Sequence, residues 1–118
     1  MSINTGGEKV YPEEVEAALK ADPGIMDAIV VGVPDARWGE RVVALIEPRA
    51  GHTVELPEID QRVRRHVAGY KAPRDILLVD AIVRSPSGKP DYRWGKATAI
   101  QRLADEQPAP DQPARSAG

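Results

Sequence analysis

The 118-residue chain has no cysteine and no phenylalanine, and its aromatic residues are three Tyr and two Trp. Without cysteine it can form neither a disulfide nor a thiolate metal site, a composition suited to a reducing cytoplasm. Without Phe, the core must rest on Val, Ile, Leu and Ala. No apolar run approaches the ~20 residues that a membrane span needs, and the N-terminus lacks a signal-peptide pattern. Neither sign of charge dominates: 16 basic residues face 18 acidic ones, for a net charge of -2. Nothing there predicts a field for nucleic acid or for a membrane surface. Histidine is scarce too. His52 sits in a Gly-His-Thr turn and His66 beside an arginine-rich helix, and both read as surface residues. No histidine spacing suits a transition metal, and no serine lies in a G-x-S-x-G elbow. What remains is one cytoplasmic domain, large enough for a single modest core.

Along the chain, residues 1–11 are polar and contain Gly6-Gly7, which predicts a loop or tight hairpin. Pro12 suits a first helical position, and Glu13, Glu14 and Glu16 follow where a helix dipole favours anions. Val15, Ala18 and Leu19 give that helix one apolar face, and Pro23-Gly24 stops it. Residues 25–33 form a nearly continuous β-branched run, and residues 41–47 a second, so both read as buried strands. Their short connection predicts an antiparallel pair. A second helix opens at Leu56-Pro57-Glu58, carries Ile59, Val63 and Val67 at four-residue spacing, and has Gly69 as its expected C-cap. Residues 76–79 read as a third strand. Asp91 is placed to cap a last helix that presents Trp94, Ala97, Ile100 or Gln101, and Leu103 or Ala104 on one side. Residues 105–118, rich in Pro, Ala, Gln and Asp without periodicity, read as a disordered tail, which leaves a domain at 1–104. The order loop-α-β-β-α-β-loop-α predicts an α+β fold, a small three-stranded sheet with helices packed on it.

Two loops set a lysine beside glycines: Asn4-Thr5-Gly6-Gly7-Glu8-Lys9 and Ser85-Pro86-Ser87-Gly88-Lys89. Glycine lets backbone approach a ligand closely, and a flexible ammonium can reach a phosphate or a developing oxyanion. The second loop is like half of a P-loop but lacks the leading Gly-x-x-x-x-Gly spacing. Either loop alone also reads as an ordinary turn. Trp38 and Trp94 read as packing residues.

Four blocks occur together. Residues 5–16 carry Thr-Gly-Gly-Glu-Lys-Val-Tyr-Pro-Glu-Glu-Val-Glu, and Gly32-Val33-Pro34-Asp35 is followed by Trp38-Gly39-Glu40. Tyr70-Lys71-Ala72-Pro73-Arg74 is the third block and Pro86-Ser87-Gly88-Lys89 the fourth. In content and order they resemble the C-terminal domain of the adenylate-forming superfamily, above all its fatty-acyl-CoA and aryl-CoA synthetases. The resemblance covers residues 4 to about 100. It implies an ATP-dependent, AMP-forming acid–thiol ligase in which a carboxylate is first joined to ATP. The C-terminal domain then rotates, and the thiol of CoA attacks the acyl-adenylate.

By that resemblance Lys89, supported by Gly88, is the catalytic lysine of the first step, while Gly6, Gly7, Glu8 and Lys9 form the loop that faces CoA and AMP. Arg64 and Lys71 are candidate contacts for CoA phosphates; a solvated helix face is the competing reading for Arg64. Arg65 carries the same two readings, and Lys71 and Arg74 a similar pair. Glu14 and Glu16 either join a polar network near the loop or serve the helix dipole. The resemblance further implies that ATP, its Mg2+ and CoA are held mainly by a large N-terminal adenylation domain, which is this chain's expected partner. The family's hinge lies just before the Gly-Gly loop, so the chain is expected to be an excised domain, a fragment or a shortened reading frame. Alone it is expected to be inactive. The alternative is a stand-alone interaction or regulatory module of the same fold, with Lys89 as the target of a lysine acyltransferase.

Overall fold

In the computed structural model, which describes residues 2–106, a five-stranded sheet is covered by helices on both faces. Three strands are those expected: β3 (Ile25–Asp35), β4 (Gly39–Pro48) and β5 (Asp75–Leu78). The other two, β1 (Ile3–Thr5) and β2 (Glu8–Val10), are the arms of the Gly-Gly hairpin, so the expected count of three becomes five. β3 and β4 pair antiparallel over nearly their whole length, from Asp35 opposite Gly39 to Ile25 opposite Pro48, with a bulge at Met26. β5 runs parallel to β4, with Val43 opposite Asp75 and Ile46 opposite Leu78. β1 joins β4 only at Thr5 opposite Gly39.

Alternation in the central pair explains its unbroken hydrophobicity. Ala28, Val30, Val42, Ala44 and Ile46 face one side, where they meet Val15 and Leu19 of α1 (Pro12–Lys20) and Ile59 and Val63 of α2 (Leu56–His66). Ile29, Val31, Val33, Val43 and Leu45 face the other, against Ala99 and Leu103 of α3 (Tyr92–Glu106). A strand covered on both faces has no polar side to show. Val67, one residue past the end of α2, is buried in the same cluster as Ile59 and Val63.

Three expectations are corrected. Gly69 does not cap α2: the helix ends at Val67, whose backbone is already extended, and Gly69–Lys71 forms a separate 3-10 turn. The α3 face is rotated from the expected one: Gly95, Ala99 and Leu103 form the buried line, Trp94 is half-buried, and Ala97 and Ile100 are exposed. Size decides this. A Cβ at Gly95 would lie 3.0 Å from Ile29 Cδ1 and 3.2 Å from Val31 Cγ1, so the helix lies against β3 at its smallest residue. Asp91 does cap the helix, its Oδ1 accepting from the Trp94 N–H at 2.9 Å. Finally, α3 runs two residues past the expected boundary, through Asp105 and Glu106; the remainder of the expected tail, 107–118, lies outside the described residues.

Candidate functional site

Lys89 stands exposed at the end of a turn that closes on itself. Arg84 bridges antiparallel to Pro90, the Ser85 N–H donates to the Lys89 carbonyl (2.8 Å), and the Gly88 N–H donates to the Ser85 carbonyl (2.8 Å). Gly88 has φ +87°, a left-handed conformation that favours glycine, which is the backbone reason for the Ser-Gly-Lys order. Arg84 ties this turn to the sheet. Its Nε and Nη2 donate to the two carboxylate oxygens of Asp27 at 2.8 and 2.6 Å, and its Nη1 donates to the Gly88 carbonyl at 2.7 Å. Burial alone would raise the Asp27 carboxyl, but the Arg84 fork and the Ala28 N–H outweigh it and hold it below the usual carboxylate range.

Beside the turn is an open cleft of about 540 Å³, lined by Glu13, Glu16, Lys20, Arg84, Lys89 and Tyr92 among others. Glu16 is only 5% exposed. Its Oε2 accepts from the Val30 N–H on the outer edge of β3 (2.9 Å) and from the Tyr92 hydroxyl (2.9 Å), so one carboxylate joins α1, β3 and α3. Burial pushes its pKa up despite those bonds. The Tyr92 hydroxyl is also pushed up, by burial and by the bond to Glu16. Glu16 thus belongs to a polar network, while Glu14 is exposed at the helix start and accepts from Lys71 Nζ at 2.9 Å.

The Gly-Gly loop is elsewhere. Gly6 (φ +58°) and Gly7 (φ +85°) form the two-residue turn between β1 and β2, both in the left-handed conformation such a turn needs. The Gly6 N–H donates to the Trp38 carbonyl (2.8 Å), and a Cβ on Gly6 would come within 3.0 Å of Trp38 Cε3. Trp38 is held in turn by Asp35, whose Oδ1 accepts from the N–H groups of Arg37 and Trp38, bonds that lower the Asp35 pKa. The Asn4 N–H donates to Glu40 Oε1 (2.9 Å), a reach that Gly32 permits because a Cβ there would lie 2.9 Å from Glu40 Oε2. Glu8 and Lys9 are exposed on β2.

Around Trp38 the arginines gather. Arg74 lies over its ring at 4.2 Å from the centroid and Arg37 at 4.9 Å, so Trp38 does more than the packing expected of it. Trp94 packs against the α3 side of the core as expected. Arg74 and Arg64 line one shallow open groove, where Arg64 also pairs with Asp60 at 3.0 Å. Lys71 faces α1 through Glu14, an ion pair that raises the Lys71 pKa. Arg65, His52 and His66 are exposed.

The two lysine–glycine loops are therefore not brought together. Lys89 is anchored at Asp27 and the Gly-Gly turn at Asp35, eight positions apart on β3. At about 3.3 Å per residue that is roughly 26 Å. Sequence reasoning missed Asp27, Arg84 and Tyr92. A signal was available for Asp27: a carboxylate inside an apolar strand requires a partner. Nothing in the sequence said that the partner is 57 residues away. Among the described residues, no helix is long and apolar enough to cross a membrane, and no group of three His, Asp or Glu is placed to hold a metal ion.

Comparison with known proteins places this geometry. Residues 14–89, more than half of the chain, match the model of the AMP-binding enzyme C-terminal domain. A medium/long-chain-fatty-acid–CoA/3-oxocholest-4-en-26-oate–CoA ligase of Mycolicibacterium smegmatis is 59% identical over 106 residues, covering 90% of this chain and 19% of that protein. A 3-oxocholest-4-en-26-oate–CoA ligase of Rhodococcus rhodochrous is 58% identical over the same shares of the two chains. Among solved structures, a fatty acyl CoA synthetase of Mycobacterium tuberculosis superposes with a TM-score of 0.78 at 31% identity, over 86% of this chain and 20% of the other. The o-succinylbenzoate CoA synthetase of Bacillus subtilis, solved with an acyl-adenylate, gives 0.76 at 30% identity over 80% and 19%. The chain thus spans about a fifth of the length of these relatives. It belongs to the AMP-binding enzyme C-terminal domain family.

Proposed function

We propose that this chain is the C-terminal lid of a fatty-acyl (carboxylate) CoA ligase, serving its two half-reactions from two ends. The observation that carries the reading is where the two loops are anchored, at Asp27 and Asp35, eight positions or roughly 26 Å apart along β3. A rigid sheet cannot present both loops to one reaction centre at once, so a lid that serves two steps must turn between them. In the adenylation step Lys89 would enter the active site of an N-terminal adenylation domain, its ammonium lying between the carboxylate and the α-phosphate. A point charge there stabilises the charge that builds as the acyl–phosphate bond forms. In the thioester step the Gly6–Gly7 turn would face the arm of CoA, its missing side chains leaving room for the thiol to pass. Glu8 and Lys9 follow that turn on β2, and Lys9 would be the cation that approaches the AMP phosphate. Arg64, with Arg74 on the Trp38 ring, offers guanidinium groups to the CoA phosphates; Lys71 would join them by exchanging its Glu14 partner.

ATP, Mg2+ and CoA would be held mainly by the N-terminal domain. A fatty-acyl substrate is supported by the relatives, which are named for medium/long-chain fatty acids and 3-oxocholest-4-en-26-oate. A cytoplasmic setting suits such a ligase. The exposed Lys89 turn is also open to a lysine acyltransferase, and losing the ammonium charge there would silence the first step.

The test mixes the chain with the N-terminal domain of a homologous synthetase and follows ATP–pyrophosphate exchange and acyl-CoA formation. Wild type should restore both, and Lys89→Ala should lose 10²–10³ of the exchange, or about 2.7–4 kcal/mol, with unchanged melting. The chain alone should give no exchange. Binding without restored activity would favour the stand-alone interaction module instead.

A further inference from the structure

We propose that Arg84 and Asp27 are positioning residues for Lys89, a clamp that fixes the Gly88–Lys89 peptide and so aims the catalytic ammonium; its catalytic part rests on the lid reading above. Gly88 is the weak link of the loop. Having no Cβ, it can take many backbone conformations, and a rotation of the Gly88–Lys89 peptide would swing the Lys89 side chain away. Two contacts oppose that rotation. Arg84 Nη1 donates to the peptide's carbonyl oxygen at 2.7 Å, and Ser85 Oγ lies 3.3 Å from its N–H. The guanidinium is itself immobilised, because its other two nitrogens form a fork on both oxygens of Asp27. Asp27 belongs to β3, next to the Met26 bulge, and it also accepts from its neighbour's N–H at Ala28 and faces Lys20 at 3.9 Å. The clamp therefore transmits the position of the central sheet to the loop.

The residue types matter. A lysine at position 84 would keep the charge but has one nitrogen in place of three, so it cannot bond Asp27 twice and the Gly88 carbonyl as well. Neither residue reaches the end of the Lys89 side chain in these contacts, so their influence runs through the backbone.

The experiment compares the wild-type chain, Arg84→Lys and Asp27→Asn, each mixed with the N-terminal domain of a homologous synthetase. Exchange reports the adenylation step, and acyl-CoA formation from preformed acyl-adenylate reports the thioester step. The clamp predicts an exchange loss approaching 10²-fold, since a misplacement near 1 Å has that effect, with the thioester step within about twofold of wild type. Equal exchange in all three proteins overturns the proposal. Equal losses in both steps also overturn it, because a merely structural role would damage both.

A second arm needs no partner: 15N relaxation of the isolated chain. Gly88 and Lys89 amides should be as ordered as those of β3 in wild type and lose order in both variants, with β3 and β4 unchanged. If the wild-type mixture is inactive, the lid reading fails while these amides still decide the clamp. Amides that are equally mobile, or equally rigid, in all three proteins refute it.

Discussion

Replacing Glu16 with Ala removes the carboxylate that joins α1, β3 and α3, and its effect can be worked from the contacts. The Val30 N–H loses its acceptor on a buried strand edge, where an unmatched donor costs about 1–3 kcal/mol. The Tyr92 hydroxyl faces the cleft and can turn to water, so its lost bond adds about 0.5–1.5 kcal/mol. Against these stands relief from holding a carboxylate away from solvent, which offsets part of the loss. The net expectation is roughly 2 kcal/mol, or a melting point lower by about 8–16 °C for a domain of about 100 residues. Glu16→Gln keeps an acceptor for Val30 and should lose less than half as much. The acid range separates charge from shape. Burial raises the Glu16 pKa above its ordinary 4.5, so the folded protein holds that proton more tightly than the unfolded chain does. Wild type should therefore gain on Glu16→Gln as pH falls, with the gain complete below about pH 4.5 and lost as pH rises through the folded value. Urea titrations followed by circular dichroism at several pH values would measure all three proteins. If Glu16→Ala is within 0.5 kcal/mol of wild type at pH 7, roughly the scatter of surface substitutions, the reasoning about the strand edge is wrong.

Two further substitutions test the packing and the turn. Gly95→Val forces a branched side chain against Ile29 and Val31 and should cost about 1–3 kcal/mol, while Ile100→Ala on the exposed side should cost under about 1 kcal/mol; the reverse order by thermal melting would mean that the α3 face has been misassigned. Gly6→Ala places a side chain in a left-handed conformation and against Trp38, a strain of roughly 1–2 kcal/mol; in the two-domain mixture it should slow the thioester step more than the exchange, and equal slowing would argue that the Gly-Gly turn has no special part in the second step.

The parts of the fold legible in the sequence were those where burial leaves a periodic mark. The run at 25–33 had to be a strand covered on both sides, and Ile59 and Val63 had to share a helix face. Asp91 announced its cap. What escaped was decided by size or by distance along the chain. Hydrophobicity favours Trp94 and Ile100 as the buried line of α3, but β3 accepts the helix only along Gly95, Ala99 and Leu103, where close approach gains more contact than larger side chains held further off. Gly69 looked like a cap because glycine often ends helices, yet Val67 turned extended first so that its side chain could join the core.

The candidate site divides along the same line. Glycine and lysine at 6–9 and 88–89 mark turns that any reader of the chain can find, because local backbone geometry demands those residues. Their supports are not local. Asp27 with Arg84, and Glu16 with Tyr92, are bonds across 57 and 76 positions of sequence; the first ties a loop to β3, and the second ties α3 to α1, whose Glu16 also holds the Val30 N–H of β3. That strand explains why both loops can belong to one function although they are far apart. It pairs with β4 over nearly its whole length and is covered on both faces, and the acidic residues near its ends, Asp27 and Asp35, each anchor one loop. A lid that must present two different loops in turn needs a stiff axis between them more than it needs a pocket of its own, and β3 with its partner β4 supplies that axis.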